Sequence, residues 1–158
     1  MGAEELWVES YQGEVLGEAF FGALAGHQED PERRRQLDVL TLLEKATKEL
    51  AEPVFDKRGL DRGDTAATLA QAAELADVVA TIAWEEFLGS IEGITVQFLE
   101  KYHQLVDLAT DTAEREIAEA YVAHEEALAA FARRALGQET GEPLELILAL
   151  PHFAAVAA

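Results

Sequence analysis

Residues 3–26, AEELWVESYQGEVLGEAFFGALAG, read as one long helix with an unusual inner face. At 100° per residue, Trp7, Tyr11, Glu14, Glu18, Phe21 and Ala25 fall within an arc of about 80°. Two carboxylates therefore stand among the aromatics and not opposite them. Burying a carboxylate there costs several kcal/mol unless a cation, a proton or a donor compensates. The stretch thus sets two expectations together: a helical fold and a polar site inside it.

The rest of the 158-residue chain extends the helical pattern. It has four prolines, at 31, 53, 143 and 151, and long runs rich in Ala, Leu and Glu, a composition that favours helices over sheet. After helix A at about 3–26, Asp30 and Pro31 supply an N-cap and a first-turn proline for helix B, at about 31–56, with Pro53 expected to shorten or kink its end. Residues 57–64 are the clearest loop. The stretch 65–109 lacks proline; as one rod it would span roughly 67 Å at 1.5 Å per residue. It should break, at Gly89 or Gly93 or by a bend near Trp84, into a crossover and helix C. Helix D follows at about 111–137, with Asp111 and Glu114 as a capping box and Gly137 as the terminating residue. A short apolar segment, 144–150, and an apolar tail, 153–158, complete a single domain.

The inward acids recur on later helices. In helix B, Leu37, Leu40, Leu43, Glu44, Thr47, Leu50, Ala51 and Phe55 share one side. Helix D presents Ile117, Tyr121, His124, Leu128 and Phe131, with Glu125 at the edge. Helix C offers Glu92 and, further out, Glu85 at the margin of its bulky stripe. Carboxylate oxygens suit a hard divalent cation, and imidazole adds affinity for iron, manganese or zinc. Four helices that each aim one or two such groups inward form a bundle metal site.

On these residues the stretch 3–137 resembles the ferritin-like superfamily, in particular the small rubrerythrin-like bundles. The resemblance implies an all-α, antiparallel four-helix bundle with an extra crossover or C-terminal helix. It also implies a di-metal centre of iron or manganese, with iron handling or oxidoreductase chemistry. Glu14, Glu18, Glu44, Glu92, His124 and Glu125 would be the ligands, with Tyr11, Tyr121 and Thr47 beside them in support. The chain departs from the family pattern at two points. Thr47 stands where the Glu-x-x-His of helix B would end, and Tyr121 stands where that of helix D would begin. The one intact Glu-x-x-His, Glu100 with His103, faces away from the stripe of Phe98 and Tyr102. A metal-free helical structural or interaction protein, oligomeric and without turnover, is the alternative.

Charge narrows the partners. With 31 acidic and 12 basic residues the formal charge is −19. Nucleic acid and anionic membrane surfaces are therefore not expected partners. There is no cysteine for thiolate chemistry, no run of 18 apolar residues, and no secretory leader pattern at Met1–Leu6, so the cytoplasm is the expected compartment. A homodimer is expected, because Leu16 and Phe20 lie on the side of helix A away from Trp7 and the tail is apolar, unless the crossover covers them. His27 and His152 fall in loops and receive no role. Any small-molecule substrate stays unassigned.

Overall fold

The computed structural model describes residues 1–157, and among them there are seven helices and no strand. In order these are α1 (Ala3–His27), α2 (Pro31–Arg58), α3 (Thr65–Val79), α4 (Trp84–Leu108), α5 (Thr112–Ala135), α6 (Glu145–Leu148) and α7 (Pro151–Ala157). The chain divides into two compact units. An N-terminal unit spans Trp7–Ile82, and a C-terminal unit comprises Met1–Leu6 with the chain from Ala83 on.

In the N-terminal unit α1 and α2 run antiparallel. Contacts pair Tyr11 with Glu52 and Glu18 with Lys48, so position rises along one helix as it falls along the other. The turn between them is short because Asp30 caps α2, its Oδ1 accepting the Glu32 and Arg33 N–H groups at 3.0 Å, and Pro31 opens the helix. Pro53 does not end α2. The proline is exposed, and the helix continues to Arg58, where Gly59 at φ 63° terminates it. The left-handed conformation there needs glycine, and it lets Leu60 N–H reach back to Phe55 C=O at 3.0 Å. Leu37, Leu40, Leu43 and Phe55 are fully buried, and the rings of Tyr11 and Phe55 lie 5.0 Å apart.

Gln12 ties the start of α3 to α1. Its Nε2 donates to the Arg62 carbonyl and to Thr65 Oγ1, and its Oε1 accepts the Thr68 hydroxyl at 2.6 Å. Helix α3 buries only Ala72 and Ala76. The expected break falls at residues 80–83, in keeping with the bend near Trp84 and not with Gly89 or Gly93, which lie inside α4. The β-branched run Val78, Val79, Thr81 and Ile82 weakens helix propensity there. The Thr81 hydroxyl bonds back to Val78 C=O at 2.7 Å, and Ala83 is extended at φ −66°, ψ 146°.

In the C-terminal unit α4 and α5 pack along each other across the short turn 109–111, with the Tyr102 and Tyr121 rings 4.9 Å apart. The capping box at α5 is present with a shift. Asp111 Oδ1 accepts Glu114 N–H at 2.8 Å, and Glu114 reaches past the cap to accept Thr110 N–H at 3.1 Å. This explains the burial of Glu114, which is 1% exposed. Gly137 at φ 74° ends α5 as expected. Beyond it lie two short helices, α6 within the apolar segment 144–150 and α7 over most of the apolar tail; Phe153 is buried, and Ala158 lies outside the described residues.

Phe20 is only 8% exposed and its ring lies 5.2 Å from that of Phe21. The homodimer expectation therefore no longer rests on that side chain.

Candidate metal centre

The N-terminal unit places two carboxylates out of water. Glu14 is 1% exposed and Glu44 is 5% exposed. Glu44 lies directly against Gly17 of α1, where a Cβ would stand 2.6 Å from its Cδ and 3.0 Å from its Cγ. The bare Cα of Gly17 is thus what admits the Glu44 side chain to the α1–α2 contact. Glu14 lies one turn before Gly17 on the same face of α1. Thr47 is fully buried, and its hydroxyl is spent on Leu43 C=O at 2.9 Å.

Glu18 and Tyr11 sit differently. Glu18 is half-buried and ion-paired with Lys48 Nζ. The Tyr11 hydroxyl donates to Glu52 Oε1 at 2.9 Å, and Arg62 Nε donates to Glu52 Oε2 at 2.7 Å while its Nη2 reaches Asp56 at 2.9 Å. The Arg62 hydrogen bonds hold the Glu52 carboxyl below its ordinary value, helped by the Tyr11 hydroxyl and opposed by partial burial. Burial, together with the Glu52 carboxylate, raises the Tyr11 phenol. Arg62 also lies 5.5 Å over the Phe55 ring, so it clamps the loop after α2 onto the hairpin.

The C-terminal unit holds a buried imidazole and a buried carboxylate. His124 is fully buried on α5, and Glu125, expected at the edge of the stripe, is 4% exposed. His124 Nε2 and Glu125 Oε1 are 3.9 Å apart. Tyr121, one turn earlier, is fully buried, its ring tilted by 43° against that of Tyr102. Glu92 is half-buried and Glu85 is exposed, as are Glu100 and His103.

Sequence reading missed two participants. Gly17 is silent until the facing helix is known, although a glycine three residues after an inward acid is the available signal. His152 belongs to α7 and not to a loop. It is half-buried, and its imidazole is pushed down to about 4 by that burial and by the nearby charge of His124.

Chemically, Glu14, His124 and Glu125 are buried residues of metal-ligating type. Carboxylate oxygen with imidazole nitrogen fits a hard or borderline divalent cation. No protein-family model matches the chain, and neither a curated protein nor a solved structure matches it.

Proposed function

We propose that this chain is a metal-binding helical protein of the ferritin-like kind. Each unit carries its own candidate ligands, Glu14 and Glu44 in the N-terminal unit, His124 and Glu125 in the C-terminal unit, and the metal is iron or manganese. One observation carries the reading: three carboxylates and one imidazole, each 5% exposed or less, stand at inward helix positions. Buried carboxylate oxygens and an imidazole nitrogen are the donor types that a divalent cation of this class takes. Glu18, engaged by Lys48, and the half-buried Glu92 are left outside this ligand set. A bound metal would supply redox or oxygen chemistry, and the protein would set access and geometry.

A ligand that binds only the folded state at 100 times its Kd stabilises it by about 2.7 kcal/mol, worth roughly 5–10 °C in melting temperature for a chain of this size. Protein stripped with EDTA and reloaded with Fe²⁺ or Mn²⁺ should show that rise and retain metal on desalting, while H124A and E14Q each lose it. Superimposable melting curves with EDTA and with either metal would end the metal reading.

The alternative, a metal-free interaction protein, draws on α3. Its exposed Leu69, Leu75 and Val78 leave apolar surface on a helix that buries only two alanines. Light scattering tests the homodimer expected under either reading: a mass near 17.2 kDa at all concentrations removes it.

A further inference from the structure

The N-terminal unit contains a cleft of about 460 Å³ bounded by α1, α2 and the start of α3. Its size falls in the range of roughly 300–1,000 Å³ that accommodates small molecules. One wall is apolar and made of small groups, with Val15, Ala19 and Ala23 on α1 and Leu69 on α3. Leu69 is 46% exposed at this wall. The Glu18–Lys48 ion pair, from α1 and α2, also lines the cleft, its side chains 27% and 21% exposed. Thr41 also lines the cleft, but its hydroxyl is spent on Leu37 C=O at 2.8 Å.

The charges restrict the occupant. A simple anion drawn to Lys48 meets Glu18 at once, and the formal charge of −19 opposes its approach. A simple cation drawn to Glu18 meets Lys48. A molecule with opposite charges on adjacent atoms meets neither difficulty, because each end faces its counter-ion. An α-amino acid carries its ammonium and carboxylate on a single carbon, matching the adjacency of the Glu18 carboxylate and Lys48 Nζ. Its side chain then projects toward the alanine wall, which leaves room for one branched or aromatic group.

We propose that this cleft binds a free α-amino acid with an apolar side chain. Lys48 holds the carboxylate, Glu18 holds the ammonium, and Val15, Ala19, Ala23 and Leu69 contact the side chain. The proposal stands apart from the metal reading, since neither Glu18 nor Lys48 belongs to that ligand set.

The test is titration of the full chain in EDTA with L-leucine and L-phenylalanine, followed by methyl NMR and calorimetry. 3-Phenylpropionate and 2-phenylethylamine serve as singly charged probes. Saturable shifts confined to the Val15, Ala19, Ala23 and Leu69 methyls are expected with the amino acids. E18Q and K48M should each weaken binding about tenfold or more, the scale of a lost charged hydrogen bond. A23L should block the cleft while the far-ultraviolet spectrum stays helical. The swapped pair E18K/K48E keeps both charges and should restore binding to within a few fold of wild type. Absence of methyl shifts with both amino acids would overturn the proposal. Singly charged probes binding as tightly as L-phenylalanine would overturn it too, as would shifts lying elsewhere.

Discussion

Gly17→Ala tests the packing of the buried Glu44 directly. Two effects oppose each other. Alanine in mid-helix is favoured over glycine by about 0.5–1 kcal/mol. Against this, the new methyl would stand 2.6 Å from Glu44 Cδ and 3.0 Å from Cγ, well inside the 3.5–4.0 Å or so of normal carbon contacts. Overpacking of this kind costs about 1–3 kcal/mol, because Glu44 is 5% exposed and its carboxylate must be pushed aside. The net expectation is destabilisation of about 0.5–2 kcal/mol in the wild-type background. With Glu44→Ala already present the obstacle is gone, and the same methyl should stabilise by about 0.5–1 kcal/mol. The double-mutant cycle therefore has a coupling energy of about 1–3 kcal/mol, whatever Glu44→Ala costs alone. Urea unfolding of the four metal-free proteins, followed by helical circular dichroism, measures it. If Gly17→Ala stabilises both backgrounds equally, Glu44 does not lie over Gly17 and the packing argument for its burial fails.

The remaining expectations concern protons and one restored ligand. Because Arg62 holds the Glu52 carboxyl below the ordinary 4.5, its contribution to stability is present above that pH and is lost as pH falls through the folded value; the wild-type advantage over E52Q should shrink on acidification, and a constant difference would contradict the clamp. His152 should stay neutral down to about pH 4 in metal-free protein, so stability should decline as pH drops from 6.5 toward 4; imidazole NMR titration checks this, with H124N raising the value and an ordinary midpoint near 6.5 counting against it. Thr47→His should cost the metal-free protein about 1–3 kcal/mol by overpacking a fully buried position, yet enlarge the metal-induced rise in melting temperature. Equal rises in variant and wild type would detach Thr47 from any ligand position.

The helices were legible where local chemistry decides them. Asp30 with Pro31, Asp111 with Glu114, and Gly137 carry their capping roles in their side chains or lack of one, and each stands at the end expected of it. The break in 65–109 was harder because glycine is the familiar weak point, whereas the actual break follows a β-branched run whose threonine turns back on its own helix. Pro53 misled because a proline's cost depends on exposure: on the wet side of α2 its missing N–H leaves no buried carbonyl stranded. Among the site candidates, Glu14, Glu44 and His124 were placed on the inner face by periodicity and are buried. Glu125 seemed an edge residue because helix phase is uncertain by tens of degrees. His152 was invisible because the fold of the last short helices has no periodic signal long enough to read.

Glu14 and Glu18 show what one helix face cannot reveal. They are four residues apart, within the same arc, and nothing on α1 separates them. The difference comes from α2. Running antiparallel, it brings Lys48 to Glu18, and the pair stays at the rim of a cleft where a long lysine stem can keep its ammonium partly in water. One turn earlier on α1, Glu14 is 1% exposed, and Thr47 and Ala51 of α2 are fully buried. An acid at the rim is neutralised by a flexible cation and becomes half of a dipolar surface. An acid held out of water is stabilised by a proton, a donor or a cation. The two proposals thus assign adjacent turns of one helix to different chemistries, metal binding at Glu14 and one pole of a zwitterion cleft at Glu18. E14Q and E18Q should accordingly fail in different assays, the first in metal retention and the second in amino-acid binding. A single defect shared by both would mean that the two acids serve one site after all.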